Sequence, residues 1–337
     1  MRTSEGVSVF STAPQSSVVP RGDYVRAVTE AAQWSERQGC AGMLIYTDNR
    51  LVDPWLVAAI MVQATESLLP LVAVQPVYMH PYTVAKMVSS LGHMYGRRMF
   101  LNMVAGGFKN DLTAFGDPTP HDLRYERLRE YTLIIKRLLS GDNATFEGQF
   151  YGVQSLKLTP ALDPELFPGI FISGSSDAGL AVARELQATA IKYPGKPGDE
   201  MADAADGIDV GVRVGIIARE DGAAAWQIAE QRFPPDRKGQ LTHQLAMKVS
   251  DSQWHKQISE LANNGGNGDR SPYWTVPFEN YRTFCPYLVG SYEDVGREVA
   301  RYMSAGFRTF ILDIPPDEEE LYHSRVVFDR LAAGLLT

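Results

Sequence analysis

The chain has 337 residues, 45% of them hydrophobic, enough to bury a large core, and α/β barrels of this length are commonly one domain. A formal net charge of -8 with no basic run argues against a nucleic-acid partner. Cys40 and Cys285 stand at no metal-binding spacing, Met1–Phe10 lacks a signal-peptide pattern, and no apolar run approaches the roughly 20 residues of a membrane helix, so a soluble cytoplasmic protein with reduced, buried thiols is expected.

In chain order, apolar runs rich in Val, Ile and Leu predict strands over Val7–Thr12, Gly42–Thr47, Leu69–Gln75, Met99–Ala105, Gly169–Ser173, Thr189–Tyr193, Asp209–Ala218 and Arg308–Ile314. Continuous apolar runs suit strands buried on both faces of a parallel sheet. Helical stretches are predicted over Asp23–Gln38, Pro54–Ser67, Pro81–Tyr95, His121–Ser140, Asp177–Leu186 and Tyr292–Ala305. In the last of these Val295, Val299, Tyr302 and Met303 share one face, Ser291 with Asp294 reads as a capping box, and Gly306 stops the helix. This alternation predicts an α/β fold, a (β/α)8 TIM barrel with insertions after the fourth and seventh strands, forming one domain over 1–337. A doubly wound open sheet is the structural rival. The first insertion, about 142–168, reads as a small hairpin broken at Gly148; the second, about 233–287, is polar, glycine-rich and lid-like. The acidic run Asp317–Glu320 reads as a solvated turn.

Several candidate site residues lie at strand ends, where barrels carry their chemistry. Ile172-Ser173-Gly174-Ser175-Ser176-Asp177 joins a strand to a helix; its free N–H groups and hydroxyls suit a phosphate, or Ser175 or Ser176 simply caps the helix. Asn102, followed by Ala105-Gly106-Gly107, and also Gln75, Tyr46 and Thr47, stand either to meet a flat ligand in the barrel mouth or to make turns. Neither a P-loop nor G-x-G-x-x-G is present. The six histidines show no metal spacing, and His121 is the one that opens a helix near the mouth.

These runs together resemble the bacterial luciferase-like flavin monooxygenases, and within them the two-component FMNH2-dependent alkanesulfonate monooxygenases. The resemblance extends from about Gly42 to Arg330. It is carried by Gly42-Met-Leu-Ile-Tyr-Thr47, Asp53-Pro-Trp55, Asn102–Gly107, Arg124-Tyr-Glu126, Phe146–Tyr151, Ser173–Asp177 and Leu288–Ser291. It implies reduced FMN in the barrel mouth, with Gly174, Ser175, Ser176 and Tyr125 at the phosphate and Tyr46, Thr47, Gln75, Asn102, Ala105 and Gly106 at the ring. It further implies O2 and a small organic molecule as substrates, a separate NAD(P)H:FMN reductase as partner, and catalytic roles for Arg213, Arg282, Tyr322 and His121. A homo-oligomer, dimer or tetramer, is expected.

Where the sulfonate enzymes carry a cysteine this chain has Leu51, and Arg213 is followed by Gly215 where they carry a histidine. A larger, less polar pocket and a bulkier substrate are expected. A buried arginine needs an anion, so either a protein carboxylate or a bound ligand must face Arg213. A deazaflavin-dependent hydride-transfer enzyme and a non-catalytic flavin-binding barrel are the alternatives on the same scaffold.

Overall fold

In chain order the strands are β1 (Ser8–Thr12), β2 (Gly42–Ile45), β3 (Leu69–Val74), β4 (Phe100–Val104), β5 (Ala144–Glu147), β6 (Gly152–Leu156) and β7 (Gly169–Ser173). They continue with β8 (Thr189–Lys192), β9 (Val210–Arg213), β10 (Gly215–Arg219), β11 (Tyr273–Trp274), β12 (Tyr287–Ser291) and β13 (Phe307–Ile311). The computed structural model describes residues 6–106, 109–192, 195, 207–249 and 270–336. Eight strands close a barrel in the order β1-β13-β9-β8-β7-β4-β3-β2, the α/β barrel that the alternation predicts. The parallel registers place Ala73 beside Asn102, Asn102 beside Phe171, and Ile311 beside Arg213.

The chain divides into two compact units: Met1–Thr12, Gln33–Gly42 and Ile191–Thr337 form one; Ala13–Ala32 and Met43–Ala190 form the other. In the second unit α1 (Tyr24–Arg37, shared between the units), α2 (Pro54–Ala64), α3 (Pro81–Tyr95), α4 (Lys109–Ala114), α5 (His121–Leu139) and α6 (Asp177–Leu186) occur. Their ends follow local chemistry. Asp53 caps α2 by accepting from the Trp55 N–H, His80 caps α3 by accepting from the Tyr82 N–H, and Gly96 ends α3 in the left-handed conformation.

The segment 142–168 contains β5 and β6, paired antiparallel as a two-stranded sheet. The buried carboxylate of Glu130 on α5 gathers its turn, accepting from the N–H groups of Gln149 (2.7 Å), Phe150 (2.8 Å) and Tyr151 (3.1 Å).

The other unit departs from the sequence reading in two places. The run Asp209–Ala218 is two strands, because the chain changes sheets at Val214. Val214 N–H still bonds Ile311 in the barrel, but the next donor, Gly215 N–H, bonds Pro286. From there β10 pairs with β12, and β12 with β11, in a separate three-stranded sheet. Ile217, Trp226, Phe233, Trp274, Tyr287 and Val289 form its own core. Trp226 and Phe233 come from α7 (Gly222–Arg232) and its C-cap; α8 (Arg237–Val249) and α9 (Val276–Glu279) follow. Positions 250–269 of the lid-like insertion lie outside the described residues, as do Gly107 and Tyr193.

The second correction concerns Asp317–Glu320, which is no solvated turn. Asp317 caps α11 (Glu318–Ala332), and Glu320 is buried, paired with Arg219 and, at 2.8 Å, with Arg232. α10 (Tyr292–Ser304) starts with the predicted capping box of Ser291 and Asp294.

Candidate functional site

The site is built on the C-terminal ends of β2, β3, β4 and β7, all within the second unit. β7 ends at Ser173, whose hydroxyl donates to Asn102 Oδ1 on the neighbouring β4 at 2.7 Å. Asn102 is buried, so this bond fixes its amide at the strand end. Gly174 then turns the chain at φ 148°, and Ser176 caps α6 by accepting from the Gly179 N–H at 3.2 Å. Ser176 is therefore the cap that sequence left open between two serines.

Tyr125 comes from α5, one turn after His121. Its hydroxyl hydrogen-bonds Ser176 and lies against Gly174, where a Cβ would collide with it. Burial pushes the phenol pKa above its ordinary value, against the pull of the Ser176 bond, so it stays protonated. The result is a turn carrying Ser173, Ser175 and Ser176 at the positive end of a helix, roofed by a neutral phenol. This donor set suits a phosphate monoester. His121 belongs to the same cluster: its ring packs edge-on against Tyr125 at 5.3 Å, and Nδ1 pairs with Asp122 at 2.8 Å.

On the β2–β3 side a cavity of about 300 Å³ opens, large enough for a small organic ligand. Thr47 and Gln75 line it with Leu51, Trp55, Tyr78 and Phe115. Gln75 connects it to β4, since its Nε2 lies 3.6 Å from where a Cβ on Gly106 would stand. Leu51 is thus a wall of this cavity. Tyr46 precedes Thr47 and is half-buried, and Ala105 precedes Gly106 and is buried.

The residues assigned to catalysis in the other unit have separate surroundings. Arg213 ends β9, buried, with its Nη2 3.6 Å from Asp313, and Tyr287 donates to the same carboxylate at 2.8 Å. A protein carboxylate therefore faces Arg213. The Cys285 thiol lies in this cluster. Burial and the Asp313 charge push its pKa well up, with Arg213 acting the other way. Gly215 does not enlarge a pocket, because the Tyr287 ring occupies the space that a side chain there would take. Arg282 is mostly exposed and pairs with Asp236 at 2.8 Å. Tyr322 is 43% exposed, under the guanidinium of Arg325 at 5.3 Å. Sequence reasoning missed Asp313, Tyr287, Tyr78 and Phe115, which belong to no recurring pattern.

Among known proteins, the luciferase-like monooxygenase family profile matches residues 5–309. A curated relative is the 4-(gamma-L-glutamylamino)butanoyl-[BtrI acyl-carrier protein] monooxygenase BtrO of Niallia circulans, 33% identical over 321 residues, 93% of this chain and 92% of that one. The chain belongs to the luciferase-like monooxygenase family. Two solved structures share the fold. The riboflavin lyase RcaE, crystallised with modified FMN and riboflavin, superposes with a TM-score of 0.78 at 14% identity, over 98% of this chain and 92% of that one. The coenzyme F420 dependent tetrahydromethanopterin reductase of Methanopyrus kandleri does so with 0.67 at 15%, over 95% and 97%. Among the described residues no helix is long and apolar enough to cross a membrane, and no cluster of His, Cys, Asp or Glu could hold a metal.

Proposed function

We propose that the chain is a two-component flavin-dependent monooxygenase, taking reduced FMN from a separate NAD(P)H:FMN reductase and using O2 to oxygenate a small organic substrate, with or without cleavage of a C–S or other bond. The observation that carries this reading is the hydroxyl-lined turn Ser173–Ser176 beneath Tyr125, joined through β4 to a cavity at the ends of β2 and β3. Its relatedness to a monooxygenase favours oxygenation over hydride transfer.

When bound, reduced flavin supplies the electrons that activate O2. Ser175, Ser176 and Tyr125 would hold the phosphate, with Gly174 leaving room for it. Asn102, Gln75 and the Ala105-Gly106 backbone would hold the ring, and Tyr46 and Thr47 would border it. Tyr125, a phenol that is protonated at neutral pH in any case, keeps its proton further into the alkaline range because it is buried. Asn102 is held in one orientation by Ser173, so no reorganisation is needed when a ring arrives. The apolar walls Leu51, Trp55 and Phe115 displace water from the substrate space. His121 is the candidate catalytic residue within this site. Arg213 is assigned to holding the strand end through Asp313, and Arg282 and Tyr322 remain candidates for substrate contact.

The test is anaerobic titration with reduced FMN, oxidised FMN and reduced deazaflavin, followed by O2 with candidate substrates. Tighter binding of reduced than oxidised FMN, and a product with a gained oxygen atom or a cleaved bond by mass spectrometry, are expected. Preferential binding of the deazaflavin with hydride transfer that needs no oxygen would establish the alternative.

A further inference from the structure

The geometry points to a substrate carrying a positively charged nitrogen, selected at the lip of the β2–β3 cavity by Asp48 and Asp111 together with the aromatic walls Tyr78 and Phe115. This proposal rests on the monooxygenase reading only for what is then done to the molecule.

Charge gives the first argument. Asp48, Asn49 and Asp53 line the cavity, and Asp111 on α4 adjoins it, its backbone carbonyl accepting from the Asn49 side chain at 3.5 Å. Against these three carboxylates stands Arg50, paired with Asp48 at 3.1 Å, its side chain 71% exposed. Three carboxylates against one guanidinium leave the lip net negative even with Arg50 held on Asp48. Asp111 titrates above the ordinary carboxylate range through burial and the neighbouring Asp48, with Arg50 opposing. A bound cation would relieve that repulsion; an anion would add to it.

The walls give the second argument. Tyr78 and Phe115 meet edge to face at 5.4 Å, and Tyr78 is locked there by donating to Asn49 Oδ1 at 2.6 Å. Phe115 is 53% exposed at the cavity edge, so its ring is open to a ligand there. Aromatic faces beside carboxylates are the surroundings that ammonium groups prefer. The third argument is Gln75. It is 8% exposed and lines the same cavity, and with its Nε2 turned toward Gly106, on the side assigned to the ring, its Oε1 is the acceptor left for an N–H.

The experiment compares three probes of one shape: phenethylammonium, phenethyl alcohol and 2-phenylethanesulfonate. Binding is measured anaerobically by calorimetry, on the flavin-free protein and with reduced FMN. The ammonium is expected to bind about tenfold more tightly than either partner, with a preference that weakens as salt is raised. Asp48→Asn and Asp111→Asn should each cut that preference about threefold, and Phe115→Leu should weaken the ammonium alone. Equal or tighter binding of the alcohol or the sulfonate overturns the proposal, as does the absence of saturable ammonium binding. So does an unchanged preference in a double Asp48→Asn, Asp111→Asn protein with the wild-type melting curve. Should the variants not fold, the wild-type ranking and its salt dependence decide. The binding assay uses no oxygen. A protein that ranks the ammonium first but oxygenates nothing removes the monooxygenase reading alone; one that oxygenates only anionic or neutral compounds removes this proposal alone.

Discussion

The hydroxyl of Tyr125 occupies the space that any side chain at position 174 would need, and Gly174 sits there at φ 148°. Gly174→Ala would therefore be strained in its backbone and would push the phenol off Ser176. We expect a loss of about 1–3 kcal/mol in stability and a larger loss of reduced-FMN affinity. A melting curve beside an anaerobic titration checks both. Unchanged flavin affinity would remove the turn from the cofactor site.

The two serines should now behave differently. Ser176→Ala removes the cap on the Gly179 N–H and should lower stability by about 1 kcal/mol. Ser175→Ala should weaken reduced-FMN binding by roughly 1.5–3 kcal/mol, the usual worth of a hydrogen bond to a charged group. A Ser175→Ala protein with wild-type flavin affinity would contradict the phosphate assignment.

Glu130 satisfies three N–H groups of the hairpin turn, and a Cβ at Gly148 would strike its carboxylate. Glu130→Ala leaves those donors unpartnered and should cost about 2–5 kcal/mol. Gly148→Ala should have a related but smaller effect. Amide hydrogen exchange at Gln149, Phe150 and Tyr151 should speed up in both variants and stay slow in surface controls.

Arg213→Met would leave the buried Asp313 carboxylate without its cation, and about 3 kcal/mol of destabilisation is expected, the low end for buried pairs given the 3.6 Å separation. Adding Asp313→Asn should recover part of it. A single variant that melts normally but turns over no substrate would instead make Arg213 a substrate ligand.

Alkaline pH supplies another test. Burial pushes the Cys40 thiol up to about 11. In the unfolded chain a thiol ionises near roughly 8.5, so above that pH the unfolded state releases a proton that the folded state retains. Stability from this group is complete below about 8.5 and is lost as pH rises toward about 11, at most about 3 kcal/mol in all. In urea melts the wild-type advantage over Cys40→Ala should shrink across that window. A constant difference would mean that the thiol is not desolvated.

Much of the barrel was legible because its strands are buried on both faces, and an apolar run records that directly. The same signal could not reveal the break at Val214: β9 and β10 are both buried, so the run passes from one sheet to the other without a polar residue between them. Glu320 looked solvent-facing because Arg219 and Arg232, which neutralise it, are remote in sequence. Of the site, the strand–turn–helix junction at Ser173–Asp177 could be read locally. Tyr125 was identified only through family resemblance, since nothing in α5 says which neighbour its hydroxyl meets. Tyr78 and Phe115 sit where the chain has no period, so no pattern marks them as facing walls.

Val214 is also a seam. One residue before it the chain is a barrel stave, and one residue after it the chain has begun a second strand–helix–strand motif that returns through β12. The join uses consecutive peptide groups, so the last bond of this stave to the barrel and the first bond of the added motif fall on neighbouring residues. Segments spliced between α7 and β11 would leave every stave in register. Evolution, or a protein engineer, could rewrite that stretch at little risk to the barrel, and divergence among relatives in length and specificity should accumulate there first.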